Sequence, residues 1–401
     1  MAAGRDSRRS AGGNPKVKIV MLTESLGSGG AERQVCTLAG EFKRRGHEVR
    51  VVTYAPGDFY RPLLEKDNIE HIFLGGSGKL SWAGNIRRFL RDNRQDVVLA
   101  FLAGPSAYAE LACLPWRRWG LVVSERLAVA GQRAVLKRLL HNVADYVVTN
   151  SHANRFIIEN GRLVPKRKLV TIYNAVQLAI LEPEPSYSSD ACGLRLVVAA
   201  RVQFQKNVRG LLQALRIYND LHGKDQLSVH WYGNQTAEPR LFEEVCSEIC
   251  RLGLQDTIQF YPPTPQIHDV MRRSDAILLP SFKEGLPNAV CEGMMLGKPI
   301  IMSAVCDAGN LVEEGRNGYL FDPNSPASIA TALSRFAALS SKARGEMGGV
   351  SRKKAEALFD LTTVGDRFLV VLEAAARRER LALTHWPTTV PDTAYAARKE
   401  R

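Results

Sequence analysis

The chain has 401 residues, of which 45% are hydrophobic and 24% charged, and its formal net charge is +13. This length exceeds one ordinary hydrophobic core and predicts two domains, while the composition is typical of a globular protein. A collagen-like fibre, a coiled coil and a disordered chain are excluded. No apolar run reaches the roughly 18–20 residues that a membrane-spanning helix needs.

The two ends of the chain are polar. Residues 1–16 are basic with no apolar segment behind them, so we expect a disordered leader and not a secretory signal. Residues 376–401 are expected to form an Arg-rich helix and a tail, with a return to the first domain left open.

The seven cysteines do not have the spacing of metal ligands, so they predict structural thiols and no metal site. The chain is expected to be a soluble, cytoplasmic protein.

Most of the excess positive charge lies in the first half of the chain. Such a balance favours nucleic acid, anionic lipid or a phosphorylated substrate as partner, or simply a solvated basic surface. No helix-turn-helix spacing, zinc finger or RNP-like aromatic pattern accompanies the charge. We therefore expect no nucleic-acid partner.

In the first half, strand-sized apolar runs alternate with amphipathic stretches. A helix is predicted over Ala31–Arg45, with Gly46 as its stop. The predicted strands are Lys18–Leu22, Val49–Tyr54, Val97–Phe101, Leu121–Ser124 and Tyr146–Asn150. This alternation indicates a parallel sheet covered by helices, so residues 17–181 are predicted to form an N-terminal Rossmann-like domain.

Residues 182–192 are rich in Pro, Ser and acidic residues and are predicted to be a linker, after which the same alternation resumes. Residues 193–375 are accordingly predicted to form a second Rossmann-like domain. Its predicted elements are the strands Leu194–Ala200, Leu227–Tyr232, Ala276–Leu279 and Pro299–Met302 and the helices Asn207–Tyr218 and Ile329–Leu339. The fold class is α/β, with two domains facing across a cleft that collects the carboxyl ends of both sheets.

Two segments between a strand and a helix could contact an anion. Gly29 and Gly30 would let the backbone approach a ligand beside free helix N–H groups, although a tight turn explains them equally well. The segment is neither the dinucleotide motif nor a P-loop. Arg201 and Lys206 follow the first strand of the second half. They could hold a diphosphate, or they could be solvated loop charges.

A third segment, residues 280–293, is the most informative. Pro287 suits the first turn of a helix, so Glu284 and Gly285 lie in the loop before that helix and Glu292 lies just over one turn inside it. Two carboxylates near one helix mouth can accept sugar or ribose hydroxyls, while the N–H groups remain free for phosphate. The alternative is that the two acids only complement the helix dipole.

This segment resembles the Glu-x7-Glu motif of retaining glycosyltransferases with the GT-B fold, the large family that builds bacterial polysaccharides and lipid-linked sugars. The resemblance runs from about residue 17 to 370. Five further segments carry it: Gly29–Arg33, Asn150–Ser151, Ile172–Val176, the Arg201 and Lys206 pair, and Glu313–Leu320.

The resemblance implies a role for each matching residue. Gly29 and Gly30 would approach the donor's diphosphate and sugar, and Arg201 and Lys206 would hold the diphosphate as catalytic residues. Glu284, also catalytic, would bond hydroxyls of the transferred sugar. The remaining donor-binding residues would be Gly285, Leu286, Asn288 and Glu292, of which Glu292 would grip the ribose.

The chain departs from the family pattern in three places. Family members often carry His or His-Asp near the donor sugar, where this chain has Glu125 and Arg126. These two residues are predicted to contact donor or acceptor, or to form a loop ion pair. At the turn expected to bind the base, this chain has Phe260–Pro263 where family members usually have a Gly. The sequence therefore does not indicate which base the nucleotide carries. Asn174–Gln177 lacks the Gly and Asp that are common there, so Asn174 is expected to form a structural turn and not to bind a ligand.

The resemblance implies transfer of a sugar from a nucleotide-diphosphate sugar to a saccharide acceptor, with retention and without metal or cofactor. The expected acceptor is linked to polyprenyl diphosphate, in cell-surface polysaccharide or glycoconjugate synthesis. Basic and aromatic residues in Trp116–Trp119, Arg133–Arg138 and Arg162–Lys168 predict peripheral contact with the inner face of an anionic membrane, or a solvated surface. A nucleotide-sugar epimerase and a non-catalytic sugar- or nucleotide-binding module remain open.

Overall fold

The computed structural model describes residues 16–126, 139–177 and 193–381. The predicted linker at 182–192, residues 1–15 of the predicted leader and residues 382–401 of the predicted tail lie outside these ranges. Within them, the chain forms two α/β domains. None of the helices in these ranges is both long and apolar enough to cross a membrane.

The N-terminal domain is built on a seven-stranded parallel sheet with the strand order β3-β2-β1-β4-β5-β6-β7. The strands are β1 (Lys18–Leu22), β2 (Glu48–Thr53), β3 (Glu70–Phe73), β4 (Val97–Phe101), β5 (Gly120–Glu125), β6 (Tyr146–Thr149) and β7 (Leu169–Thr171). Among its helices are α1 (Gly30–Arg44), α2 (Arg61–Lys66), α3 (Lys79–Asp92), α4 (Ala103–Ala112) and α5 (His152–Asn160). Every residue of β4 and β5 is buried, as expected for central strands with both faces covered.

The C-terminal domain has a six-stranded parallel sheet with the order β10-β9-β8-β11-β12-β13. The strands are β8 (Leu194–Ala199), β9 (Leu227–Tyr232), β10 (Ile258–Tyr261), β11 (Ala276–Leu279), β12 (Ile300–Ser303) and β13 (Gly318–Phe321). The helices are α6 (Val208–His222), α7 (Pro239–Leu252), α8 (Ile267–Arg272), α9 (Asn288–Met295), α10 (Ala308–Leu311), α11 (Pro326–Ala337) and α12 (Ser341–Phe359). In each sheet the strand order reverses beside the first strand, and open α/β sheets bind ligands at this point.

The last described helix, α13 (Leu361–Arg377), packs on the N-terminal domain. Phe368 is fully buried there, with its ring centroid 6.5 Å from those of Phe42 and Phe101. The prediction that the second domain extends to residue 375 is therefore wrong, because the chain returns to the first domain at Asp360. The periodicity of an amphipathic helix shows that one face is covered, but not which domain covers it.

The packing of α13 predicts that Phe368→Ala destabilises the N-terminal domain by about 3–5 kcal/mol, since it leaves a large cavity between α13 and two aromatic rings. Urea unfolding followed by tryptophan fluorescence measures the loss. Val370→Ala on the same helix is the matched control, because Val370 is 47% exposed. Equal losses in the two variants would contradict the assignment of this helix to the first domain's core.

Candidate functional site

The carboxyl ends of the two sheets enclose a cavity of about 290 Å³. Both domains contribute to its walls. The lining residues are Gly30, Ala31, Gln34, Arg126, Asn150 and Asn174 from the first domain and Arg201, Gln203, Gln205, Lys206, Glu284, Gly285, Leu286 and Asn288 from the second. Eight of the eleven site residues named from the sequence are thereby brought together, while Gly29, Glu125 and Glu292 lie elsewhere.

An ion pair between Lys206 and Glu284 occupies the C-terminal wall. The Lys206 Nζ donates to Glu284 Oε1 at 2.5 Å, and Ser281 Oγ donates to the same oxygen at 2.6 Å. Asn207 orients Lys206, because it adopts a left-handed conformation (φ 54°) and its side chain accepts from Gly210 N at the start of α6. Both charged side chains are largely buried, so the pair is held in one geometry.

Arg201 lies in the same cavity but has no hydrogen bond or ion pair with any residue in the three described ranges. Its guanidinium is therefore available to a ligand.

Gly29 precedes α1, and the Glu32 side chain packs directly against it. A Cβ at position 29 would lie 2.1 Å from Glu32 Oε2. Burial raises the pKa of Glu32, although the charge of Arg201 partly offsets that rise.

Three side chains bridge the two domains at the cavity. Arg126 Nη1 donates to Asn174 Oδ1, and Asn174 Nδ2 donates to Asn288 Oδ1 at 2.5 Å. Asn174, expected only as a structural turn, thus also lines the site. Gly30 faces Asn288 so closely that a Cβ there would lie 2.3 Å from its Nδ2, and a Cβ on Gly285 would lie 2.2 Å from the Arg126 carbonyl oxygen.

Glu292 lies in a separate cavity of about 110 Å³, next to the first. Arg33 Nη1 from the first domain donates to Glu292 Oε1 at 2.8 Å, and His268 Nε2 lies 3.0 Å from Glu292 Oε2. Burial raises the pKa of Glu292, but the His268 hydrogen bond and the Arg33 charge outweigh it and lower the pKa. Arg33 stands in the Gly29–Arg33 segment, which the sequence pattern singled out, whereas no sequence pattern indicated a role for His268.

Glu125 and Arg126 are neighbours in sequence but face different surroundings. Arg126 lines the cavity, whereas Glu125 is buried beside His141, whose Nε2 lies 3.5 Å from Glu125 Oε1. The other ring nitrogen of His141 lies 2.6 Å from Glu110 Oε1. Burial alone would lower the pKa of His141, but the two carboxylates raise it to about 9. The expected substrate contact of Glu125 is therefore wrong, since its side chain belongs to this buried cluster.

Comparison with known sequences assigns both halves of the chain to glycosyltransferase families. Residues 28–180 match Glycosyltransferase Family 4, and residues 193–338 match Glycosyl transferases group 1. Together these matches cover about three-quarters of the chain. The chain has the two domains of a GT-B glycosyltransferase. The predicted fold class, two Rossmann-like domains facing across a cleft, is confirmed.

Individual relatives agree with this assignment. A D-inositol 3-phosphate glycosyltransferase of Thermobispora bispora is 29% identical over 225 residues, which cover 50% of this chain and 51% of the relative. The same enzyme of Streptomyces griseus is 30% identical over 107 residues, or 26% of this chain and 22% of the relative. The chain thus spans about half of the length of the first of these curated relatives and less than a quarter of the second.

Solved structures show the same fold. Anabaena HepE in complex with UDP and glucose superposes with a TM-score of 0.78 at 21% identity, covering 89% of this chain and 100% of HepE. A glycosyltransferase of Rickettsia africae gives a TM-score of 0.78 at 19% identity, covering 91% of this chain and 100% of that one.

The buried cluster predicts an unusual titration. His141 should titrate with a pKa of about 9, whereas His71, whose pKa burial lowers, should titrate below 6.5. Because the folded-state pKa of His141 is raised, its contribution to stability is complete below about pH 6.5 and is lost as the pH rises through 9. Imidazole NMR measures both values.

Glu110→Gln should move the His141 titration toward lower pH, because one of the two carboxylates that raise its pKa is removed. His71 is the internal control and should not move. A His141 pKa that is near 6.5 in the wild type, or that is unaffected by Glu110→Gln, would contradict the charged cluster.

Proposed function

We propose that this protein transfers a sugar from a nucleotide-diphosphate sugar to a hydroxyl of a lipid-linked saccharide, with retention of the anomeric configuration and without a metal ion. The observation that carries the proposal is the convergence of Arg201, Lys206 and Glu284 in one cavity at the carboxyl ends of both sheets. Anabaena HepE, which has the same fold, has been crystallised in complex with UDP and glucose and with UDP-glucose, and this supports a nucleotide sugar as the donor.

The two cations suit a diphosphate. Arg201 can offer a planar pair of donors and Lys206 a compact charge. Both line the cavity together with Asn288, the first residue of α9, whose N-terminus has no side-chain cap. Among the described residues, both bonds to the Glu284 carboxylate use Oε1. Its Oε2 is therefore left to accept a hydroxyl of the transferred sugar.

In the proposed reaction the bond from the anomeric carbon to the phosphate oxygen breaks while the acceptor hydroxyl attacks from the same face. The acceptor's proton passes to the departing phosphate oxygen, and the nucleoside diphosphate leaves. Arg201 and Lys206 stabilise the charge that develops on that group, which is the task of a preorganised electrostatic site. Glu284 is tied to Lys206 and Ser281, so it acts as a positioning group for the sugar and not as a nucleophile.

The proposal predicts that Lys206→Met lowers kcat by about 10²–10³-fold, because a charge that stabilises the leaving group is removed. Purified protein is screened with UDP-, GDP- and ADP-sugars for thermal shift, slow hydrolysis and sugar transfer, with and without EDTA. Lys224→Met is the control, because Lys224 is exposed and far from the cavity lining.

Product NMR then gives the anomeric configuration. Inversion, or activity that EDTA abolishes, would refute the proposed mechanism. Conversion of the donor to its epimer would favour the epimerase alternative. Donor binding without turnover for any saccharide acceptor would favour a non-catalytic binding module.

A lipid-linked acceptor is supported by an apolar and basic surface on the first domain. Leu111, Leu114 and Trp116 are 44%, 43% and 61% exposed, and Arg118 beside them is exposed. Arg91 lies over the Trp116 ring, with its guanidinium carbon 5.8 Å from the ring centroid. Exposed aromatic and basic side chains suit the interface of an anionic membrane.

Two residues predicted to contact the membrane, Trp119 and Arg117, make contacts within the protein instead. Trp119 is 4% exposed and belongs to the hydrophobic core of the first domain. Arg117 donates to Asp145 and to the Val143 carbonyl oxygen, so its charge is already used. The predicted segment Arg133–Arg138 lies outside the described residues.

The exposed surface predicts binding to vesicles that contain phosphatidylglycerol. Replacing Trp116 by Ser and Arg118 by Glu should weaken co-sedimentation by about tenfold or more, since an apolar anchor is lost and each basic residue contributes roughly 1 kcal/mol. The matched control is Leu221→Ser with Arg216→Glu on α6, which also removes one exposed apolar and one exposed basic side chain. Equal binding of the two double variants would refute the membrane contact.

A further inference from the structure

Arg126 is a buried cation whose hydrogen-bonding capacity is largely unused. The residue is 8% exposed, and its Nη1 donates to Asn174 Oδ1. Its Nε and Nη2 are buried and have no hydrogen-bond partner in the described part of the chain. The guanidinium carbon lies 4.7 Å from the centroid of the Phe101 ring. Leaving charged donors unpaired in the interior is costly, so this arrangement calls for a ligand.

The two unpartnered nitrogens have a specific geometry. Nε–H and one N–H of Nη2 point in parallel along one edge of a guanidinium. Two oxygens of a carboxylate or a phosphate match this edge in a bidentate hydrogen bond. A neutral hydroxyl could satisfy only one of the two donors.

The surroundings of Arg126 supply no anion. Within the described ranges, no carboxylate lies within ion-pair distance of its guanidinium, and its one side-chain partner is an amide. Burial accordingly lowers the pKa of Arg126 to about 9. An anion beside it would restore the usual preference for the charged form.

The position of Arg126 separates it from the proposed diphosphate clamp. Arg201 and Lys206 belong to the second domain, whereas Arg126 directly follows β5 of the first domain. Its carbonyl oxygen packs directly against Gly285, next to Glu284, which we assign to the transferred sugar. Arg126 therefore faces the sugar side of the cavity.

We propose that Arg126 binds an anionic group that a substrate carries in addition to the donor's diphosphate. That group is a carboxylate on the transferred sugar or a phosphate on the acceptor. The inference rests on the proposed function, because it takes Arg201 and Lys206 as the clamp for the diphosphate. Arg126 would then determine specificity for an acidic substrate.

The test uses probes that do not depend on the base of the nucleotide. Pyrophosphate is titrated into wild type, Arg126→Gln and Lys206→Met. Glucose, glucuronate and glucose 6-phosphate are then titrated with and without saturating pyrophosphate, and ligand-observed NMR gives the affinities. We expect wild type to bind glucuronate or glucose 6-phosphate about tenfold more tightly than glucose, and Arg126→Gln to lose that preference while it still binds pyrophosphate.

The probes also separate the two sources of the anion. Preference for glucuronate indicates an acidic donor sugar, and preference for glucose 6-phosphate indicates a phosphorylated acceptor. No preference in wild type, or the same preference in Arg126→Gln, would overturn the inference. So would an equal loss of pyrophosphate binding in Arg126→Gln and Lys206→Met, since Arg126 would then belong to the clamp.

Failure of the proposed function gives a different result. If pyrophosphate does not bind wild type, the assignment of Arg201 and Lys206 to the diphosphate is wrong. The titrations without pyrophosphate still test whether Arg126 binds an anionic group. A second readout needs no ligand. Arg126→Gln should unfold at the same temperature as wild type or higher, because a desolvated charge is removed; a clearly lower midpoint would indicate a structural role instead. Arg155→Gln, which removes a paired cation on α5, is the control.

Discussion

The cleft depends on one buried carboxylate that joins the two domains. Asp307, from the second domain, accepts hydrogen bonds from His152 N at 2.8 Å and Ala153 N at 2.7 Å, the first two amides of α5 in the first domain. Tyr173 donates its hydroxyl to the same carboxylate at 2.9 Å, and burial and the Asp307 charge raise the pKa of that hydroxyl. A carboxylate at a helix N-terminus is favoured by the dipole and by the free N–H groups there. Because Tyr173 precedes Asn174, the same anchor also brings Asn174 between Arg126 and Asn288.

The cavity lining carries more positive than negative charge. Its lining contains three cations, Arg126, Arg201 and Lys206, and one carboxylate, Glu284. Only Lys206 is neutralised by an ion pair among the described residues. Arg201 is exposed to water, whereas Arg126 is buried, and holding the unpaired charge of Arg126 away from water costs free energy. A preorganised charge of this kind need not rearrange when its ligand binds. The excess of positive charge is what a diphosphate and a further anion would balance.

Much of the architecture could be predicted because it follows from local patterns. The strands β1, β4, β9 and β11 have the predicted bounds, since each is a short apolar run between turn signals. Pro287 immediately precedes α9 and so places Glu284 before the helix and Glu292 within it, as the spacing indicated. The short strands β3 and β7 have four and three residues, too few to give a clear pattern.

Contacts between distant segments could not be predicted. Arg33 and Glu292 are 259 positions apart, and neither His268 nor Asp307 stands in a segment whose pattern indicates a partner. Glu125 and Arg126 show a different limit. Alternation along a strand implies that neighbours face opposite sides, but it does not tell which of the two reaches the cleft. Both residues are buried, and only the packing around His141 decides that Glu125 faces away from the cavity.

If Glu292 binds the ribose of the proposed nucleotide sugar, its contacts would connect donor binding to the contact between the domains. Glu292 is 11% exposed in its side chain and holds both Arg33 and His268, whereas Arg33 is 34% exposed. In the proposed function, a ribose bound at Glu292 Oε1 would displace Arg33, which can return to water at little cost, while His268 would continue to pair with Oε2. The exchange would remove one charged link between the two domains. The Asp307 and Asn174 contacts would persist, so nucleotide binding and release would not disturb the alignment of the two sheets.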